Sequence, residues 1–142
     1  MSRCDKKHWF YPDFLDSFAC LLAEAKKYDE AIEKYKLSEL EHIERGEAPS
    51  SNEVILPRLG IAETYIKKGE VVKAIQLLEE YVKSGGKSIF LLYECLAFAY
   101  YKTDEHLKAR YAALNAIKIV AENRDSSSYE KRFECITGRK NR

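Results

Sequence analysis

Gly86-Lys87-Ser88 has the closing triplet of a loop that cradles phosphate with backbone amides and a lysine. That chemistry needs a further glycine five residues before Gly86, where Tyr81 stands, and a strand feeding the loop. The surrounding spacing is helical, so the triplet is read as a turn between helices. The cysteines Cys4, Cys20, Cys95 and Cys135 form no Cys-x-x-Cys pair and take no ligand spacing with His8, His42 or His106. They are read as free thiols of a reducing compartment, and neither a metal nor a cofactor is expected. His42 falls on a charged helix and His106 at a helix start, with no nucleophile–base arrangement beside either, so both are read as surface or boundary residues. Carboxylates such as Glu39, Glu41 and Glu44 lie on charged helix faces where solvation accounts for them. Lys131, Arg132, Arg139, Lys140 and Arg142 are read as a solvated terminus rather than a nucleic-acid arm. Catalysis has no constellation behind it, and a non-enzymatic protein is expected.

Composition agrees. Across 142 residues, 24 basic side chains nearly cancel 23 acidic ones and leave a formal charge of +1. Such a chain has no global field to steer it onto nucleic acid or an anionic membrane. No apolar stretch approaches the ~18–20 residues that cross a bilayer, and no apolar signal region follows the charged N-terminus. A cytoplasmic protein of one domain or one short repeat array is the expectation.

The elements that position these residues are helices. Phe14, Leu15, Phe18 and Leu22 step by three and four, as do Ala31, Ile32, Tyr35 and Leu40. Gly46 to Asn52 has loop chemistry, with Asn52 expected to cap a third helix that carries Leu56, Leu59, Ile61, Ala62, Tyr65 and Ile66. That helix should stop at Lys67-Lys68-Gly69, a basic last turn followed by glycine. A fourth helix carries Val71, Val72, Ala74, Ile75, Leu78 and Tyr81, and a fifth spans Ile89 to about Lys102. The sixth starts at Asp104 or Glu105 and turns Leu107, Tyr111, Leu114, Ile117 and Val120 inward; a short last helix would bear Tyr129, Phe133 and Ile136.

The helices repeat. Aligned on Ala31, Ala74 and Ala109, three segments read Leu15/Phe18-Ala19/Leu22, Arg58/Ile61-Ala62/Tyr65 and Tyr93/Leu96-Ala97/Tyr100. The small residues at these places let the two helices of a pair approach closely. This pattern resembles the tetratricopeptide repeat, a ~34-residue helix-turn-helix. Departures are Arg58 at a bulky position, Ser38 in place of an alanine, and no terminal proline in any repeat. The resemblance implies an all-α, right-handed α-solenoid of three antiparallel helix pairs, at about 12–46, 54–86 and 88–123, with a loop at 46–52. An N-terminal aromatic segment would occupy 1–11, and a capping helix and basic tail 124–142.

The family's concave groove grips a segment of a partner, and its positions fall by register on Asp13 and Asp16, then Leu56, Leu59, Glu63 and Ile66, then Leu91, Glu94, Phe98 and Tyr101. Cys20, Ala23, Glu24, Lys67 and Lys102 share that register. An apolar floor rimmed by acids implies a protein or peptide partner that is apolar and carries basic residues. The alternatives for the same stripe are self-covering by the chain's ends or homodimerisation. Some family members hold a chaperone's C-terminal carboxylate with Lys and Asn side chains. Asp16, Cys20, Gly60, Leu91 and Cys95 stand at those positions and cannot do so. The implied role is a scaffold, adaptor or small chaperone, with a regulatory or immunity-type inhibitor of one enzyme or toxin as the alternative.

Overall fold

The structure is a computed structural model, and its described residues are 11–86 and 89–122. The segment before Tyr11, Lys87 and Ser88 of the turn, the capping helix and the basic tail lie outside them, as do Cys4, Cys135 and His8. Among the described residues are six α-helices: α1 (Tyr11–Glu24), α2 (Tyr28–Glu44), α3 (Asn52–Lys68), α4 (Val71–Tyr81), α5 (Ile89–Lys102) and α6 (His106–Ala121). A 3-10 turn, Val82–Ser84, extends α4. No strand occurs among the described residues. The helices pair as α1 with α2, α3 with α4 and α5 with α6, and each pair stacks on the next to make an all-α solenoid.

The turn inside each pair is built three times by the same bonds. Lys27 N–H donates to Leu22 O (2.8 Å), Glu70 N–H to Tyr65 O (2.9 Å) and Glu105 N–H to Tyr100 O (2.9 Å). This is the six-to-one bond that closes a helix end, and it requires a left-handed residue just before the donor. Those residues are Lys26 (φ 65°), Gly69 (φ 97°) and Asp104 (φ 64°), so only the middle pair has the glycine that the geometry favours. The spacing, 43 residues from Lys26 to Gly69 and 35 from Gly69 to Asp104, equals that between Ala31, Ala74 and Ala109.

Packing follows the alanines. Ala19, Ala62 and Ala97 on the first helices and Ala31, Ala74 and Ala109 on the second are all fully buried. The main core joins the second and third pairs and takes in Ile32, Ile55, Ile61, Leu78, Leu92 and Leu96. A smaller cluster of Ala19, Ala23 and Ala31 holds the first pair, and Tyr35 packs against both. Arg58 is accommodated because it donates to Glu39 of α2 at 2.7 Å and lies over the Tyr81 ring. Ser38, fully buried, donates to Pro12 O at 3.3 Å.

Several expected inward residues point elsewhere. Leu107 and Tyr111 are 81% and 70% exposed, while Ala109, Ala112, Ala113 and Ala116 carry the α6 contact. Phe14 and Phe18 are exposed and stack on each other, with Pro12, Leu15, Ala19 and Ala23 inside. Leu40 and Val72 also face outward, whereas His42 is buried. For the large apolar residues the reason is that closely approaching helices bury their small residues and push large ones to the flanks, whereas His42 is drawn in beside Ser38 and Asp16. The cap of α3 is Ser51, whose hydroxyl accepts from Val54 N–H at 3.4 Å, and Asn52 is the first helical residue.

Candidate partner-binding groove

The first helix of each pair builds one wall, since α1 packs on α3 and α3 on α5. Helical periodicity puts Asp13 and Asp16 on one side of α1 and Leu56, Leu59, Glu63 and Ile66 on one side of α3. Leu91, Glu94, Phe98 and Tyr101 share a side of α5. None of these ten is buried: Asp13, Leu56, Glu63, Phe98 and Tyr101 are exposed, and Asp16, Leu59, Ile66, Leu91 and Glu94 are half-buried. Leu56, Phe98 and Tyr101 remain about 40% accessible, and the Tyr101 ring meets His106 edge-on at 5.1 Å between centroids. Ala23, in the same sequence register, is instead in the core of the first pair.

The acids sense one another across the helices. Glu63 is raised from its ordinary range by burial of its carboxyl, relieved by Lys67 and raised again by Glu94 on the next helix. Asp16 is pushed up to about 6, first by burial and then by Asp13, against the opposing Ser38 hydroxyl and His42 imidazole. The Cys95 thiol is pushed up to about 12 by burial and by the same two glutamates. Two pairs of acids, Asp13 with Asp16 and Glu63 with Glu94, thus repel each other on this side, with His42 and Lys67 opposing.

Tyr35 reaches this wall from α2, although its sequence position had marked it only as core. Its ring covers Gly60, where an added Cβ would stand 2.5 Å from ring carbons. Burial first, and then the charges of Cys20, Asp16 and Glu63, push its phenol up to about 12. The signal for this was the unusual glycine inside α3. Also missed is the polar cluster behind Asp16. Ser38 and His42, one turn apart on α2, face it, and His42 Nδ1 has no hydrogen-bond partner among the described residues. Ser38 is wholly buried, so no substrate reaches its hydroxyl.

Among the described residues, no group of three or more His, Cys, Asp or Glu could hold a metal ion. Among them, too, no helix is long and apolar enough to cross a membrane.

No protein-family model matches the chain. No curated protein sequence matches it either. Solved structures do. The crystal structure of BtubC (BKLC) from P. vanneervenii superposes with a TM-score of 0.73 at 16% identity over 97% of this chain. The match spans only 57% of that longer protein. Two crystal structures of the nearly identical TPR-like repeats of a Podosopora anserina putative kinesin light chain, one of them a point variant, give TM-scores of 0.68 and 0.67. They share 18% and 17% identity with this chain over 93% and 92% of its length, and the matches cover 69% and 70% of theirs. The fold of this chain is therefore that of the tetratricopeptide-like helical repeats, a right-handed α-solenoid of antiparallel helix pairs.

Proposed function

We propose that this chain is a non-enzymatic protein-interaction module that holds a segment of a protein partner along the wall formed by α1, α3 and α5. The observation that carries this reading is the exposure, on one wall, of large apolar side chains beside two pairs of acids. Leu56, Leu59, Leu91, Phe98 and Tyr101 act as the floor, and Asp13, Asp16, Glu63 and Glu94 meet basic residues of the partner. Ile66 extends the floor toward the end of α3.

Magnitudes assign the roles. Burying one leucine or aromatic anchor contributes ~1.5–3 kcal/mol, against ~0.2–1 kcal/mol for an exposed ion pair. The apolar floor then sets affinity, and the acids set orientation and association rate. The partner is an extended or helical segment with apolar anchors and at least one lysine or arginine. In this role the protein works as a scaffold, adaptor or small chaperone in the cytoplasm.

The test is capture of partners by the wild-type chain beside Leu59→Asp and Phe98→Ala variants whose helicity is unchanged by circular dichroism. Loss of a defined partner in both is the expected result. Retention in both removes the groove from the explanation. Light scattering at two concentrations, run alongside, separates partner capture from homodimerisation through the same wall.

A further inference from the structure

Away from the groove, α4 and α6 flank α5 and leave a cavity of about 430 Å³. Its floor is Tyr93, Leu96 and Tyr100, on the side of α5 turned from Leu91, Glu94, Phe98 and Tyr101. The chain contains its own control for this cavity. The junction between the first and second pairs has the same three-helix arrangement one repeat earlier; it too opens, to about 400 Å³, but over a charged lining of Asp29, Glu33 and Lys36 with Ile32 and Tyr65.

At that earlier junction, Arg58 and Glu39 bridge α3 and α2 through a 2.7 Å ion pair beneath Tyr81. Leu77 of α4 is packed against the core beside them. One repeat on, Tyr93 stands at the Arg58 position, Val82 at the Glu39 position and Ala112 at the Leu77 position. The ion pair has become two apolar side chains, and an isobutyl group has shrunk to a methyl. The lids are alike, since Lys73 lies over Tyr65 at 5.1 Å and Lys108 over Tyr100 at 5.8 Å in the same register. The apolar character of the later opening thus follows from the residues that differ between the two junctions, Leu107 and Tyr111 in place of Val72 and Gln76 included.

The rim is unusual as well. Leu107 and Tyr111, one turn apart on α6, are more than two-thirds exposed and form an apolar lip. At one end, Tyr100 Oη–H donates to the Glu79 carboxylate, which fixes an acceptor at the cavity wall. Lys108 pairs with Glu105 at 3.1 Å rather than with Glu79, so the Glu79 carboxylate makes the mouth unfavourable to an anion.

We propose that this cavity binds a small, non-anionic aromatic molecule carrying one hydrogen-bond donor. The three tyrosines and the aliphatic walls receive the ring, and the Glu79 carboxylate accepts from the donor. Volume and lining match those of small-molecule sites, which span roughly 300–1,000 Å³, are mostly apolar and place a few polar groups for orientation. This site is independent of the groove and of what the groove binds.

Indole is the probe, titrated into the full chain and followed by calorimetry and by ¹H–¹⁵N NMR. Saturable binding is expected, with shifts centred on Leu96 and Ala112. Ala112→Leu restores the earlier junction's filling residue and should weaken binding at least tenfold while leaving helicity intact. A second variant, Val82→Glu with Tyr93→Arg, transplants the earlier junction's ion pair and should do the same even where Ala112→Leu fails to fold. The proposal is overturned by an absence of saturable binding to the wild-type chain. Equal binding to the filled variants also overturns it. So does concentration-dependent self-association of the wild type that the filled variants lose, which assigns the cavity to a second copy.

Discussion

Tyr35 of α2 lies against Gly60 of α3, with ring carbons 2.5 Å from where a Cβ at position 60 would stand. In an open helix, Gly→Ala stabilises by up to ~1 kcal/mol. Here the sign should reverse, because the ring is wedged between two clusters and cannot retreat freely. Gly60→Ala is expected to cost ~1–3 kcal/mol in urea denaturation, and Tyr35→Ala should recover part of the loss in a double-mutant cycle. A stabilising Gly60→Ala would contradict this contact.

Lys26 carries a left-handed backbone at a place where the second pair has Gly69. A side chain in that conformation costs ~1–2 kcal/mol, which glycine avoids. Lys26→Gly should therefore raise stability by ~0.5–1 kcal/mol after its larger unfolded-state entropy is counted. Thermal unfolding checks this, with Gly69→Ala as the opposite change: it should lower the midpoint.

Asp16 gives a pH signature. Its folded pKa, about 6, lies above the ordinary 3.8, so folding favours the protonated carboxyl. The stabilisation it contributes is complete below pH ~4 and is lost as pH rises through ~6. Asp16→Asn removes that dependence and should be more stable than wild type by ~1–2 kcal/mol at pH 7, the full linkage being discounted for partial exposure. Near pH 4 the two should converge. A variant less stable than wild type at pH 7 would show that the Ser38 and His42 contacts outweigh burial.

Much of the fold was legible because it is written in small residues at fixed intervals. The six alanines picked by register, from Ala19 to Ala109, are all fully buried, and the helix stop at Gly69 stands where its basic turn placed it. What stayed illegible was which of two neighbouring stripes faces inward. Hydrophobicity favours Phe14, Phe18, Leu107 and Tyr111, but tight helix pairs bury alanine and leave these on the flanks. His42 could not be read as buried, because its neighbours Ser38 and Asp16 come together only when α1 docks on α2. Of the candidate site, the reach of Tyr35 across Gly60 could not be read, because it exists only once α2 packs on α3.

Arg58 occupies a position where the other pairs carry Leu15 and Tyr93, and it is held there by Glu39. Both side chains are less than one-fifth exposed, so removing one leaves the other charge poorly solvated. Arg58→Ala should cost ~2–3 kcal/mol, and Arg58→Lys should recover only part, since a point charge replaces a planar group stacked on Tyr81. Adding Glu39→Gln to Arg58→Ala should return some stability. Denaturation of the three variants is the measurement.

The groove is tested most directly by placing a photo-crosslinking phenylalanine analogue at position 98 of the full chain, and separately at the exposed Val72 of α4. After irradiation in a native lysate, the expected result is a discrete heterologous adduct from position 98 and none of the same mass from position 72. Adducts equal from both positions, or from position 98 only to a second copy of the chain, would contradict a partner segment lying along α1, α3 and α5.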